Sequence, residues 1–269
     1  MSRSLFLSMV KMHGKTVISY GLGMAAYMLL VIWVYPSIAH STALNTVLHN
    51  LPHSMTRLIG AQSGFAQVGD YLAAEFYGFL YVIILAIYTV TASTQLMAHL
   101  IDNGSMSYLL ATPVSRAAIS MTQAVQLVCG IIVIGICATS SALLGVHWFV
   151  GAKNGLNVSH FIEMNLVGVL LFILISAYSF FFSCIARDER TTLAMSASLT
   201  IIFYALNTIA TLSDKFRWMK HLSIFSAFNP QALINGHSNV TRISLAFTAA
   251  SLVLFGMAVL GFRNRQMSL

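Results

Sequence analysis

The chain has 269 residues, of which 58% are hydrophobic and only 8% carry a charge, and its formal net charge is +7. Soluble domains usually carry about 25% charged residues, so this composition excludes most soluble functions. The positive charge does not indicate a nucleic-acid partner, because the basic residues lie at the ends of apolar segments rather than in one patch. A membrane protein is therefore expected.

Six apolar segments are long enough to cross a membrane. The hydrocarbon core of a bilayer is about 30 Å thick, which requires about 20 residues of helix. The segments lack the two-residue alternation of barrel strands, so helices are expected. The predicted fold class is an all-α polytopic membrane protein, with one transmembrane domain over residues 1–269. The predicted spans are residues 16–35, 74–98, 118–146, 163–186, 191–212 and 243–262.

Residues 3–15 precede the first predicted span and combine apolar side chains near helical spacing with several basic ones. This pattern predicts a short interfacial helix on the cytoplasmic surface, and the alternative is a frayed basic start. A signal peptide has a similar beginning. The apolar part that follows is longer than a usual signal core, so we expect a span that is retained.

The order of the spans depends on one long apolar run at residues 117–152, which has room for two short spans. Its middle, residues 128–141, contains no Pro, Asn or charged residue with which to build a turn. One long helix that continues into an outer loop is therefore expected. Six spans then place both termini on the same side of the membrane.

Basic residues near the span ends orient the bundle weakly, because cytoplasmic loops usually carry the excess of Lys and Arg. With both termini inside, eight basic residues are cytoplasmic and six are outside. The cytoplasmic set is Arg3, Lys11, Lys15, Arg116, Arg187, Arg190, Arg263 and Arg265, and the outer set is Arg57, Lys153, Lys215, Arg217, Lys220 and Arg242.

No catalytic or metal-binding motif is evident. None of the nine histidines lies in a His-Glu-x-x-His arrangement, the three cysteines have no CxxC spacing, and no Gly-x-Ser-x-Gly occurs. Gly14-Lys15-Thr16 has the form of the end of a phosphate-binding loop, but Met9 stands where the first glycine belongs. We expect that the chain itself is not an enzyme and that it binds neither a metal nor a nucleotide. If ATP drives it, another polypeptide binds the ATP.

The predicted spans contain few ionisable groups. Asp70 and Glu75 lead into the second span and Glu163 opens the fourth, whereas the interiors offer mainly amides. Ion-coupled transporters place carboxylates or histidines near mid-membrane, where the ion is bound. The pattern favours a permease that takes its energy from outside the membrane and carries a largely apolar cargo.

The segment between spans two and three, residues 101–116, has the most specific sequence. Asp102-Asn103-Gly104 is typical of a turn, residues 105–110 have room for a short helix, and Thr112-Pro113 ends it before Arg116 begins the next span. A compact cytoplasmic element of this kind suits a permease that receives force from a soluble motor.

Residues 109–116 read Leu-Leu-Ala-Thr-Pro-Val-Ser-Arg. This sequence resembles, at all eight positions, the coupling helix of the permease subunits of type-2 ATP-binding-cassette (ABC) transporters, the exporter-like bacterial class. The charged loop Arg187-Asp188-Glu189-Arg190 and the outer turn Phe228-Asn229-Pro230 are also similar to that family's layout. The approach to the coupling glycine differs, because family members often carry Arg or Glu there and this chain has His99-Leu100-Ile101-Asp102-Asn103.

The resemblance implies a multi-pass protein of the bacterial cytoplasmic membrane with both termini cytoplasmic. It also implies two partners, a second permease that is identical or related and two copies of an ABC ATPase that bind the ATP, so the chain itself needs no cofactor. The N-terminal helix would assist the ATPase contact. The ATPase-coupling residues it implies are Asp102, Gly104, Tyr108, Leu109, Leu110, Pro113, Arg116, Arg187 and Arg190.

The chemical nature of the cargo is predicted from the distribution of charge and not from a motif. The basic outer segment at residues 213–242 and the scarcity of charge within the spans favour a hydrophobic or amphipathic cargo, such as an antimicrobial or cytolytic peptide, a lipid or a drug. That the cargo is exported is implied by the resemblance alone. Two alternatives stay open, a channel that does not use ATP and a structural or assembly membrane protein.

Overall fold

The computed structural model describes residues 3–39, 55–56, 67–110, 114–151, 155–186 and 188–264. Regular structure within these ranges is helical, without a strand. The α-helices are α1 Arg3–Ala39, α2 Val68–Glu75, α3 Tyr81–Leu96, α4 Ala98–Asp102, α5 Met106–Leu110, α6 Arg116–Gly145, α7 Val158–Ile185, α8 Glu189–Leu212, α9 Pro230–Ile234 and α10 Val240–Asn264. A π-helical turn at Phe76–Leu80 joins α2 to α3, another at Val146–Val150 extends α6, and 3-10 helices cover Asp214–Leu222 and Ile224–Ala227.

Six helical segments of the described ranges are long and apolar enough to cross a membrane, which confirms the predicted fold class of an all-α polytopic membrane protein. Each predicted span lies within one of them to within one residue. The helices are longer than the apolar spans because helical hydrogen bonding continues until a cap or a turn residue ends it. The six segments are Leu7–Ala39, Val68–Asp102, Arg116–Val150, Val158–Ile185, Glu189–Leu212 and Val240–Asn264.

The N-terminal residues form part of a longer helix than the sequence suggests. Residues 3–15 are helical, but α1 continues through them into the first span without a break. Gly14 alone is too weak a signal to interrupt a helix. Met9 and Val17 are both buried on the side of α1 that faces the bundle. The first turns of α1 therefore pack on the protein as well as preceding the span.

The long apolar run at residues 117–152 is a single span. α6 begins at Arg116, where the Ser115 side chain caps it by accepting a hydrogen bond from the Ala118 amide at 3.2 Å. The helix ends after the π-helical turn at Gly151, whose φ of 81° is a conformation that glycine adopts without strain. The absence of turn residues in the run correctly predicted one helix instead of two.

α7 is the most enclosed of the six spans, and an aromatic cluster surrounds its first half. Tyr77 and Tyr81 lie 4.9 Å apart between ring centroids, and they meet Phe161 and Phe172 of α7 edge-on at 5.8 and 5.7 Å. The Tyr77 hydroxyl donates a 2.8 Å hydrogen bond to Oδ1 of Asn165. The first half of α7 is thus fixed by both packing and a buried hydrogen bond. In contrast, α8 and α10 leave most of their apolar surface exposed.

The segment at residues 213–242, predicted to lie outside, folds back onto one end of the bundle. The Asn229 side chain caps α9 by accepting a hydrogen bond from the Ala232 amide. Two side chains of this segment then bind Asp70 at the start of α2. Gln231 donates to its backbone carbonyl at 2.8 Å and Asn235 to its carboxylate at 3.1 Å. The segment is a cap on the bundle and not a free loop.

The first and last residues that the structure describes lie at the end of the bundle that carries α4 and α5. α9 lies at the opposite end. A Cβ on Gly261, near the end of α10, would lie 3.8 Å from Ile185, where α7 ends. Residues of the first turns of α1 share a cavity with the last turn of α3. An even number of antiparallel spans produces this arrangement.

Candidate functional site

The segment between the second and third spans folds into a compact element of two short helices, α4 and α5. α3 stops at Met97, whose φ and ψ of −125° and −62° are not helical, and α4 continues in a new direction. Gly104 then turns the chain with a φ of 72°, in the left-handed region. The Ser107 amide and hydroxyl both donate to the Gly104 carbonyl, at 3.1 and 2.6 Å. The predicted turn and short helix are present.

Contacts with α7 and α8 brace this element. The Ala98 amide donates a 2.9 Å hydrogen bond to the buried Ser183 hydroxyl near the end of α7. His99 Nδ1 lies 2.6 Å from a carboxylate oxygen of Glu189, the first residue of α8. The Glu189 amide is 3.4 Å from the Asp102 carboxylate. These bonds connect α4 to the end of α7 and the start of α8, on either side of the loop between spans four and five.

That loop is itself held by Asp188. Its carboxylate caps α8 by accepting hydrogen bonds from the amide and the hydroxyl of Thr191, at 2.7 and 2.9 Å. The bond from the Thr191 amide contributes most to holding the pKa of the Asp188 carboxyl below its ordinary value, followed by the bond from the Thr191 hydroxyl, and the nearby Arg190 adds to the effect. A lowered carboxyl pKa contributes stability that is present above the unfolded value and lost as the pH falls through the folded value. The cap is therefore intact at neutral pH.

The predicted coupling residues that the structure describes form a largely polar surface with one aromatic side chain. Tyr108 of α5 is 80% exposed, the largest exposed fraction among the large apolar side chains of the described residues. Met106, two residues earlier, is buried and anchors α5 to the bundle. Asp102 and Gly104 are also exposed, and Arg116 is half-buried at the start of α6. An exposed aromatic ring on a helix that is anchored to the bundle is typical of a protein-docking residue.

The structure places the other predicted coupling residues as follows. Leu109 and Leu110 are the last residues of α5, and Arg190 lies in the first turn of α8, beside the braced loop. Pro113 and Arg187 lie outside the described residues. Sequence reasoning missed His99, Ser183 and Glu189 as bracing residues, because nothing in their local sequence shows that they meet. The charged loop at residues 187–190 was the one available signal.

We expect Glu189→Ala to loosen the element without unfolding the bundle. The variant loses the contact with His99, and an exposed pair of this kind contributes only about 0.2–1 kcal/mol to stability. Hydrogen exchange of the amides of residues 98–108 should accelerate, while the thermal midpoint of the purified protein changes little. Glu163→Ala, at the other end of the bundle, is the matched control. Unchanged exchange at α4 in the Glu189 variant would contradict the bracing role.

Within the described ranges, no group of three or more His, Cys, Asp or Glu side chains is placed to hold a metal ion. The three cysteines lie on α6 and α7, and none of them is in a disulfide bond. The braced element presents backbone turns, charged side chains and one exposed aromatic ring.

The chain matches no protein-family model. It is similar to the uncharacterized protein YhcI of Bacillus subtilis (strain 168), with 21% identity over 192 residues. That match covers 65% of this chain and 60% of the relative. The name of the relative states no activity, so it adds nothing to what the fold shows. The fold defines the class as a multi-pass helical membrane protein.

Proposed function

We propose that this chain is the transmembrane permease subunit of an ATP-driven ABC transporter, with the energy supplied by a separate ATPase subunit. The observation that carries the proposal is the coupling element. Residues 109–116 resemble the coupling helix of ABC permeases, and the α4–α5 unit in which they begin is compact, exposed at Tyr108 and braced on two spans.

In the proposed transporter, the bonds from α4 to α7 and α8 transmit a displacement of α5 to the spans. Force applied to α5 passes through α4 to the end of α7 by the Ala98–Ser183 bond and to the start of α8 by the His99–Glu189 pair. It also passes along the chain into α6, which begins at Arg116. A movement of an ATPase bound at α5 would thus reach the ends of four spans, α3, α6, α7 and α8. Rigid packed helices transmit such displacements as units.

The proposal includes a set of partners and a location. Two permeases, identical or related, would assemble with two ATPase subunits in a bacterial cytoplasmic membrane, with both termini and α4–α5 on the cytoplasmic side. The large exposed apolar faces of α8 and α10 are available to lipid or to the second permease. The cargo would be hydrophobic or amphipathic, because the spans carry few charges, and its outward direction is what the resemblance to exporter-like permeases implies.

The test is affinity purification of the tagged chain from native membranes, followed by mass spectrometry and an ATPase assay. A soluble ATPase should co-purify in stoichiometric amount. We expect Arg116→Glu to lower its recovery and its stimulated activity by at least about tenfold, because a reversed charge at a docking site repels the partner and leaves its own charge unpaired. Arg242→Glu, an exposed arginine at the start of α10 on the opposite side, is the matched control and should behave as the parent chain.

Normal ATPase stimulation by the Arg116 variant would contradict the proposed docking site. A chain that purifies alone and shows no dependence on ATP would instead favour a channel or an assembly protein. Ion conductance in planar bilayers without ATP would separate those two alternatives.

A further inference from the structure

The 3-10 helix Asp214–Leu222 runs back along α8 after that span has ended. Directly after the 3-10 helix, the Ser223 hydroxyl donates a 2.6 Å hydrogen bond to the carbonyl oxygen of Phe203. The Phe225 ring meets the Tyr204 ring edge-on, with centroids 5.6 Å apart. Phe203 lies nine residues before the end of α8, or about 14 Å along the helix axis. The chain therefore returns about 14 Å alongside the span that it has just left.

This return places the 3-10 helix at the surface of the hydrocarbon core. α8 has 24 residues, or a length of about 36 Å, whereas the core is about 30 Å thick. At most about 6 Å of α8 extends beyond the core, so Ser223 lies at least about 8 Å inside it. Nine residues of 3-10 helix rise about 18 Å, which is enough for this descent. The 3-10 helix thus begins at the level of the lipid head groups and ends within the hydrocarbon.

The surface of the 3-10 helix is basic. Lys215 and Arg217 are exposed and Lys220 is half-buried, and Trp218 among them is 58% exposed. An exposed tryptophan is typical of the level at which head groups meet hydrocarbon. Within the part of the chain that the structure describes, none of the three cations forms an ion pair with an acidic side chain. Cations beside hydrocarbon are costly without a counter-charge, so an anion from outside the chain is expected.

The three-residue repeat of a 3-10 helix separates the basic side chains from the apolar ones. The backbone at Phe216 is not helical, with φ and ψ of −102° and 15°, so the repeat is regular only beyond it. Arg217 and Lys220 then share one face of the helix. Met219 and Leu222 share another. A helix with a basic face and an apolar face is suited to lie at a membrane surface.

Charge complementarity selects a phospholipid over a second copy of the chain as the partner of this surface. A copy related by two-fold symmetry would bring the same three cations to the same face, and like charges repel. A phospholipid brings a phosphate at the level of the head groups, which long Lys and Arg side chains reach while their stems stay in apolar surroundings. Arginine also binds phosphate through two parallel N–H bonds.

We propose that the 3-10 helix Asp214–Leu222 binds an anionic phospholipid, with Arg217 and Lys220 on its phosphate, in the leaflet at the end of the bundle opposite α4 and α5. The site depends on the fold of this segment along α8 and does not require an ATPase partner or a transported cargo. Failure of the proposed transport function would therefore leave it standing.

The test uses the fluorescence of Trp218 in the full chain, reconstituted in phosphatidylcholine bilayers. The chain has three tryptophans, so a Trp33→Phe, Trp148→Phe variant, changed at two exposed positions, leaves Trp218 as the single emitter. Phosphatidylglycerol or phosphatidylcholine with brominated acyl chains, which quench on contact, is added in small amounts. We expect half-maximal quenching at about a tenfold lower mole fraction of the brominated phosphatidylglycerol. Equal quenching by the two lipids would overturn the proposal, and so would the absence of quenching by either.

Variants of the basic face locate the lipid. Arg217→Gln should lower the preference for phosphatidylglycerol about fivefold, the effect of one basic residue near the membrane surface, whereas Arg217→Lys should retain most of it. The double variant Arg217→Gln, Lys220→Gln should abolish the preference. Arg242→Gln is the matched control, because Arg242 is an exposed arginine at the same end of the bundle, at the start of α10.

Two results with these variants would contradict the site. An unchanged preference in the double variant would show that the lipid binds elsewhere. A loss in Arg242→Gln as large as that in Arg217→Gln would show that the lipid responds to the charge of the whole membrane face and not to the 3-10 helix.

Discussion

Tyr108→Ala is expected to reduce recovery of the co-purifying ATPase about thirtyfold, the effect of removing an interface residue that contributes about 2 kcal/mol. The side chain is 80% exposed at the middle of α5 and makes little contribution to the bundle. Its removal should leave the thermal midpoint of the isolated permease unchanged. Pull-down from native membranes, with quantification of the ATPase by mass spectrometry, measures the effect. Loss of binding without loss of stability is the expected combination.

A control for this variant is available at the other end of the bundle. Trp218 is 58% exposed in the 3-10 helix Asp214–Leu222, so Trp218→Ala removes an exposed aromatic ring of similar size. We expect ATPase recovery with Trp218→Ala to equal that of the parent chain. Equal loss in both variants would show that exposed rings stabilise the protein in detergent in general, and it would remove the support for docking at α5.

Gly168→Ala is expected to destabilise the bundle by about 1–3 kcal/mol, because it overpacks a rigid aromatic cluster. A Cβ on Gly168 would lie 2.8 Å from the Tyr81 hydroxyl oxygen and 3.2 Å from a ring carbon of Phe228. Tyr81 is fully buried and packs edge-on against Phe172, with ring centroids 5.7 Å apart, so the ring has little room to retreat. The thermal midpoint of the purified protein should fall by several degrees.

Gly256→Ala separates this effect from the intrinsic preference of helices for alanine. Gly256 lies in α10, and nothing is within 4 Å of the position of an added Cβ. Since alanine is favoured over glycine in a helix by about 1 kcal/mol, this variant should be neutral or slightly stabilising. Equal stability of Gly168→Ala and Gly256→Ala would contradict this prediction, because it would mean that the aromatic cluster adjusts to the added methyl group.

The two predictions concern opposite ends of the bundle, which α7 connects. The aromatic cluster fixes the first half of α7, and the far end of the same helix holds the Ser183 hydroxyl that binds α4. A permease driven from α5 needs this continuity, because a displacement at one end is useful only if the span does not bend. The two predictions therefore test the two ends of one mechanical element.

The number and approximate position of the spans follow from the sequence because hydrocarbon imposes a length of apolar helix on any span. The absence of turn residues predicted one helix at 117–152, and the turn residues around Gly104 predicted a turn with a short helix. The sequence pattern did not show that α1 runs unbroken from Arg3 to Ala39, because the end of the apolar stretch does not end a helix. The hydrogen bonds of the backbone continue until a cap, and polar residues form them as well.

The sequence alone determined the class of fold and the position of the turn and short helix at Gly104, since each depends on residues that are close in the chain. Only the tertiary structure decided that His99 meets Glu189, that Tyr77 meets Asn165 and that Gln126 lines a cavity with Tyr20 and Tyr88. These contacts join residues on different helices. They depend on how each helix is rotated about its axis, which uniformly apolar spans do not encode in their hydrophobic pattern.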